Sequence, residues 1–184
     1  MSSLGPKSGT GVHATCVVHG ESGVLILGPS GSGKSALGLA LMAHARQNRL
    51  FGALIGDDRV YLQSASGRLL ARGPERMRGM IERRMAGLVN MPYEPRVVVR
   101  LAVELSPSGQ TWPRLPDEPD LWKFGETDVP RLALDSARSA ADHAIAVVER
   151  LEKVTASSHA GKRISLEHYD AVHKNDAVAA SPPA

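Results

Sequence analysis

The stretch GPSGSGKS, Gly28 to Ser35, constrains this chain more than any other feature of it. An apolar run, Val24-Leu25-Ile26-Leu27, comes directly before it, and a helix-favouring run, ALGLALMAHARQ, directly after. Strand, glycine-rich turn and helix in that order is the setting in which successive backbone N–H groups surround a phosphate. Gly28, Gly31 and Gly33 let the backbone take positive φ and approach oxygens with no Cβ in the way, with Pro29, Ser30 and Ser32 between them. Lys34 brings a positive charge to the terminal phosphates, and Ser35 a hydroxyl for Mg²⁺. All eight residues are therefore expected contacts of a bound polyphosphate.

Holding a phosphate is not a reaction, and transfer needs a further carboxylate, usually at the end of a strand. Asp57 and Asp58 close the apolar stretch ALIG and are the natural candidates. His13 opens the strand ahead of the loop, and Glu82-Arg83-Arg84 stand among Met80, Ile81, Met85 and Leu88. By residue type alone these have plain readings too: GDD as an ordinary turn, His13 as a structural histidine, and Glu82 to Arg84 as a solvated helix face.

Around these residues the pattern predicts a strand pair from VHATCVV and GVLILG, then a helix whose Leu37, Leu41 and Ala45 share one face. ALIG and RVYLQ read as extended pieces and SASG as a hairpin turn into RLLAR. In RVVVRLAVEL the alternation puts Val97, Val99, Leu101, Val103 and Leu105 on one face, opposite Arg100 and Glu104. Between Ser106 and Pro130, prolines and polar residues predict a long loop, and a last helix is expected to start at Asp135 or Ser136, either of which can cap it. This divides the chain into a flexible leader at 1–10, a catalytic domain at 11–154 and a disordered tail at 155–184.

The charge of +3 is carried by basic residues that do not gather into a long run, which argues for phosphate handling and a solvated surface and against nucleic acid as a partner. Cys16 is the only cysteine, so an intramolecular disulfide is excluded and a reduced, cytoplasmic setting is expected. No apolar run approaches the ~20 residues of a membrane span, so no membrane association is expected.

Taken together, VHATCVVHGESGVLILGPSGSGKSALGLAL, LIGDDRV and MIERRMAGLVNM resemble, in order and spacing, the catalytic domain of HPr kinase/phosphorylase over about residues 10 to 150. The resemblance implies an α/β fold, a mixed β-sheet carrying the P-loop and flanked by helices, related in style to phosphoenolpyruvate carboxykinase. It implies an ATP- and Mg²⁺-dependent protein-serine kinase acting on the phosphocarrier protein HPr, with phosphorolysis of the phosphoserine as the reverse reaction. It also implies a homo-oligomer, a hexamer in the family.

Carried over by position, the resemblance makes His13 the active-site histidine, Lys34 the P-loop lysine and Ser35 a metal-binding hydroxyl. Asp57 becomes the carboxylate that exchanges a proton with the target serine, with Asp58 its neighbour. Glu82 becomes a second Mg²⁺ ligand, and Arg84 and Arg114 the site arginines. The chain looks like the short, alphaproteobacterial form, without the family's additional N-terminal domain. Met85 stands where the family signature has a glycine, and the family's basic Gly-rich loop is replaced by LALDSARSAAD. Two other classes fit a P-loop: an ATP-binding regulatory module without transfer, and a small-molecule kinase. The set His13, Lys34, Asp57 and Glu82 argues against the first; the lack of residues for an inserted lid argues against the second.

Overall fold

ATCVVH is buried at every position, the mark of a central strand covered on both faces. The structure, a computed structural model, describes residues 9–83, 85–107 and 120–173, with side chains as far as 157. In chain order come β1 (Thr10–Val12), β2 (Ala14–His19), β3 (Ser22–Leu27), α1 (Lys34–Gln47), β4 (Gly52–Gly56), β5 (Val60–Ala65) and β6 (Arg68–Arg72). They are followed by β7 (Met80–Arg83), β8 (Gly87–Asn90), β9 (Arg96–Ser106), β10 (Leu121–Phe124), β11 (Thr127–Asp135) and α2 (Ala140–His173).

Nine strands form one mixed sheet in the order β1-β5-β6-β9-β3-β2-β4, with the β10–β11 hairpin joined to β9 through β11. The β3–β9 and β9–β11 pairings are parallel and the others antiparallel. β7 and β8 make a separate hairpin. Both long helices pack on one face of the sheet, where Leu37, Leu41 and Met42 of α1 and Ala144, Val147 and Leu151 of α2 meet Val17, Val24, Ile26 and Leu101. The opposite face holds Cys16, Leu25, Ile55, Leu62, Leu69 and Val99 and is closed by the strands themselves, because the sheet curls over its own inner surface. Cys16 is buried there, and burial pushes its thiol pKa up, which leaves it chemically quiet. Among the described residues no helix is long and apolar enough to cross a membrane.

Four expectations are corrected here. In β9 the one-face alternation breaks: Gly23 pairs with Val99 but Val24 with Leu101, so Arg100 is an extra residue and the strand reverses its facing at that bulge. Val97 and Val99 therefore pack into the curled side, whereas Leu101, Val103 and Leu105 face the helices.

The segment after Ser106 is not one loop. Leu121–Phe124 and Thr127–Asp135 pair as a hairpin, and β11 then runs parallel to β9 from Arg131 onward. Pro130 sits just before that ladder begins, where its missing N–H takes no hydrogen bond away.

The last helix starts at Ala140. Asp135 stays in the sheet, its Oδ1 accepting the Ala137 N–H at 2.9 Å, while Ser139 accepts the Asp142 N–H at 3.1 Å and donates to the Asp142 carboxylate at 2.8 Å. Ser139 thus acts as the N-cap, its Oγ accepting one of the free N–H groups of the first turn while the Asp142 carboxylate orients the hydroxyl. The helix continues to His173, through residues the sequence reading leaves to a tail. Thr155 and Ser157 sit within it with their hydroxyls bonded back to carbonyls one turn earlier, at 3.0 Å each. Residues 1–8 and 174–184 lie outside the described residues.

Finally, Glu82 and Arg83 are on strand β7 and not on a helix face. Ile81 alone of that strand is fully buried, and the neighbouring chain is fixed by Leu54 N–H to Pro92 O at 2.8 Å and Glu94 N–H to Leu54 O at 2.9 Å. Tertiary anchoring overrides a local pattern that suits either element.

Candidate active site

β3 ends at Leu27, and the chain turns directly into the loop. φ is +146° at Gly28, +78° at Gly31 and +96° at Gly33, the left-handed territory that glycine enters without cost. A Cβ on Gly28 would meet the Leu105 carbonyl at 2.7 Å, whereas one on Gly31 or Gly33 would meet nothing within 4 Å. The loop is thus tight against β9 on one side and open on the other. Gly33 precedes α1 without a side-chain cap, leaving the first N–H groups of the helix and its positive dipole end to an anion.

Lys34 is buried at this point, with Nζ donating to the carbonyls of Gly28 at 2.9 Å and Pro29 at 2.8 Å and lying 3.0 Å from His13 Nε2. Burial lowers its pKa, and the negative charges of Asp57 and Asp58 pull the other way. His13 Nδ1 is 3.0 Å from Asp58 Oδ1 and 3.1 Å from the Asp58 carbonyl. A proton on Nδ1 with a bare Nε2 satisfies every partner: Lys34 donates to the ring, and the ring donates to Asp58. Asp58 takes φ +62°, a conformation aspartate tolerates, and this turns it away from Asp57 and towards His13.

Asp57 faces the other way. Its Oδ1 accepts from Thr15 Oγ1 at 2.5 Å, and Ser35 Oγ lies 2.9 Å from Oδ1 and 3.0 Å from Oδ2. The backbone N–H of Glu82 is 3.4 Å from Oδ2, which brings β7 to the rim of the same site. The adjacent carboxylates therefore serve two separate clusters, Asp58 with His13 and Lys34, and Asp57 with Thr15, Ser35 and Glu82.

The structure thus gathers His13, Gly28 to Ser35, Asp57, Asp58 and Glu82 at one end of the sheet, while Arg84 and Arg114 lie outside the described residues. Thr15 was missed by the sequence reading. Its one signal is a hydroxyl in an otherwise apolar run, two residues after His13. Met85 is at the tip of the β7–β8 hairpin with φ +63°, in a turn closed by Ala86 N–H to Arg83 O at 3.1 Å. That position favours glycine, which gives a physical reason for the residue the related signature carries there.

Oxygen donors from Ser35 and Glu82 at a phosphate loop are a hard set that suits Mg²⁺. Among the described residues no three His, Cys, Asp or Glu side chains form a closed cage.

A mixed sheet whose β3 feeds a glycine-rich loop and an uncapped helix defines an α/β domain of the phosphate-loop class. Within that class the chain belongs to the family of the HPr serine kinase C-terminal domain, whose model matches residues 7–165. It is similar to the HPr kinase/phosphorylase of Bacillus licheniformis, 30% identical over 135 residues, covering 68% of this chain and 42% of that protein. A shorter match, to the HPr kinase/phosphorylase of Mycoplasma mycoides subsp. mycoides, is 39% identical over 79 residues, 43% of this chain and 23% of that one. The chain thus spans less than half the length of the curated relatives it matches. In fold it resembles the HPr(Ser) kinase/phosphatase of Coxiella burnetii, with a TM-score of 0.64 at 22% identity over 90% of this chain and 97% of that one.

Proposed function

We propose that this chain transfers the γ-phosphoryl group of ATP to a serine of HPr or an HPr-like phosphocarrier, and that it runs the reverse phosphorolysis at the same site. The observation that carries the reading is the meeting of a charged lysine, a histidine–aspartate pair and a second, separately held carboxylate at the open side of the loop. A bare phosphate-binding module needs the first of these but not the other two.

Gly28 to Ser35 hold the polyphosphate through backbone N–H groups and the start of α1. Lys34 exchanges its carbonyl partners for phosphate oxygens and offsets the charge that develops during transfer. His13 holds the ammonium in place through Nε2, with Asp58 fixing the ring. Ser35 and Glu82 would hold Mg²⁺, which when bound would supply positive charge to offset that of the phosphates. Asp57 orients the serine hydroxyl and takes its proton as the Oγ–P bond forms and the bond to the β-phosphate oxygen breaks, releasing ADP. In reverse, an oxygen of inorganic phosphate attacks the phosphoserine phosphorus, the bond from phosphorus to the serine Oγ breaks as Asp57 returns a proton to that oxygen, and the pyrophosphate so formed is released. Arg84 and Arg114 are proposed as further site arginines, and the working form as a cytoplasmic homo-oligomer.

The test is incubation with Mg²⁺-ATP and purified HPr, with the product mapped by peptide mass spectrometry. One phosphoserine on HPr is expected. ATP binding with an unmodified HPr would reject transfer in favour of a regulatory module, and label on a metabolite would reject the protein acceptor.

A further inference from the structure

Thr15 is fully buried in β2 between Ala14 and Cys16, in the apolar layer beneath the site. A hydroxyl in such a place is costly unless it is bonded, and this one is committed to a single acceptor, Asp57 Oδ1, at 2.5 Å. Its methyl group is seated as firmly. A Cβ built on Gly38 of α1 would lie 3.0 Å from Thr15 Cγ2, so the methyl occupies room that a glycine at 38 leaves open and a larger residue would crowd.

The other groups on Asp57 do not fix its carboxylate in the same way. Ser35 Oγ sits almost evenly between the two oxygens, at 2.9 and 3.0 Å, and so does not choose between them. The Glu82 N–H is long, at 3.4 Å, and comes from the exposed hairpin edge. Thr15 is the short, buried partner that singles out one oxygen, holding Oδ1 inward against β2 while the longer Glu82 N–H meets Oδ2 from β7.

We propose that Thr15 is a positioning residue for Asp57: its hydroxyl pins Oδ1 so that Oδ2 is the oxygen presented to the acceptor hydroxyl, and the absence of a side chain at Gly38 leaves room for the rotamer that does so. The kinetic part of the test rests on the kinase reading above; the structural part does not.

The test uses Thr15→Val, which keeps the shape and removes the hydroxyl, and Thr15→Ser, which keeps the hydroxyl and removes the methyl. With the full chain, Mg²⁺-ATP and HPr, Thr15→Val is expected to lower kcat about 10- to 100-fold, the range expected for a misplaced catalytic group, with KM for ATP nearly unchanged. Thr15→Ser is expected to restore most of the loss. Crystals of Thr15→Val should show the Asp57 carboxylate turned from its place in the parent protein.

An unchanged kcat in Thr15→Val, an equal loss in both variants, or an unmoved Asp57 would overturn the assignment. Should the parent protein transfer nothing to HPr, the kinase reading falls, and the crystal comparison still decides the positioning role. Should Thr15→Val not fold, Gly38→Ala decides: a fall in kcat relieved by adding Thr15→Ser supports the proposal, and an unchanged kcat overturns it.

Discussion

β2 has a histidine at each end, and the two have opposite surroundings. His13, just ahead of the strand, is about half exposed and lies between the Lys34 ammonium and the Asp58 carboxylate at 3.0 Å each. His19, the last residue of the strand, is buried, and its Nε2 is 3.0 Å from Nδ1 of His44 on α1. The first ring links a charge of each sign at the mouth of the loop; the second links two secondary-structure elements at the far end of the same helix. A histidine's role thus follows from its neighbours, and the residue type alone could not tell these two apart.

Substitutions sharpen the contrast, beginning with the largest effect. Lys34→Ala should lower phosphoryl transfer by about 10³-fold and weaken ATP binding as well, since it removes the one cation seated in the loop; titration calorimetry and a transfer assay read the two effects separately. At the next level down, His13→Ala should cost transfer about 10- to 100-fold with the thermal midpoint unmoved, because its ring holds Lys34 but covers little core. His19→Ala should do the reverse, leaving transfer intact and destabilising the fold by about 1–3 kcal/mol through an unpaired His44 nitrogen and a cavity. Equal effects of the two substitutions on one readout would abolish the distinction.

Acid should act on the far end too. Burial, then the neighbouring His44, lowers the His19 pKa, while Glu152 of α2 pulls weakly the other way. A depressed pKa means that the unfolded chain binds the proton more readily. The stability this group provides is therefore full above about pH 6.5 and is lost as the pH falls through the lower folded value. Denaturant midpoints measured from pH 8 to pH 5 should decline for the parent protein and flatten in His19→Ala. The smallest effect is expected at the hairpin tip, where Met85→Gly should stabilise by about 0.5–1 kcal/mol, as the residue at φ +63° is replaced by one that adopts it freely.

The loop was the most legible part of the sequence, because its chemistry demands contiguous residues of fixed type: glycines, then lysine, then serine. Asp57 and Asp58 could be named from their place at a strand end, but not divided between two clusters, since that depends on the left-handed turn at Asp58. Glu82 was harder. Its run of charged and apolar residues suits a helix face equally well, and the strand forms only because Leu54 captures the chain around Tyr93. The reversal in β9 had no marker at all, as Arg100 looks like any outward residue until β3 is laid beside it. Thr15 was overlooked for a similar reason. Its partner is distant in sequence, and nothing in ATCVV tells which way the hydroxyl points.

The central claim is that Asp57 serves the chemistry and not the binding of the nucleotide. It is tested most directly by following label from γ-labelled ATP, with Mg²⁺, to HPr of the same organism, using the parent protein and Asp57→Ala side by side and measuring ATP affinity for both. Serine labelling by the parent is expected, with a loss of about 10²- to 10⁴-fold in Asp57→Ala and similar ATP affinity in the two. Undiminished labelling by Asp57→Ala would contradict that role for Asp57.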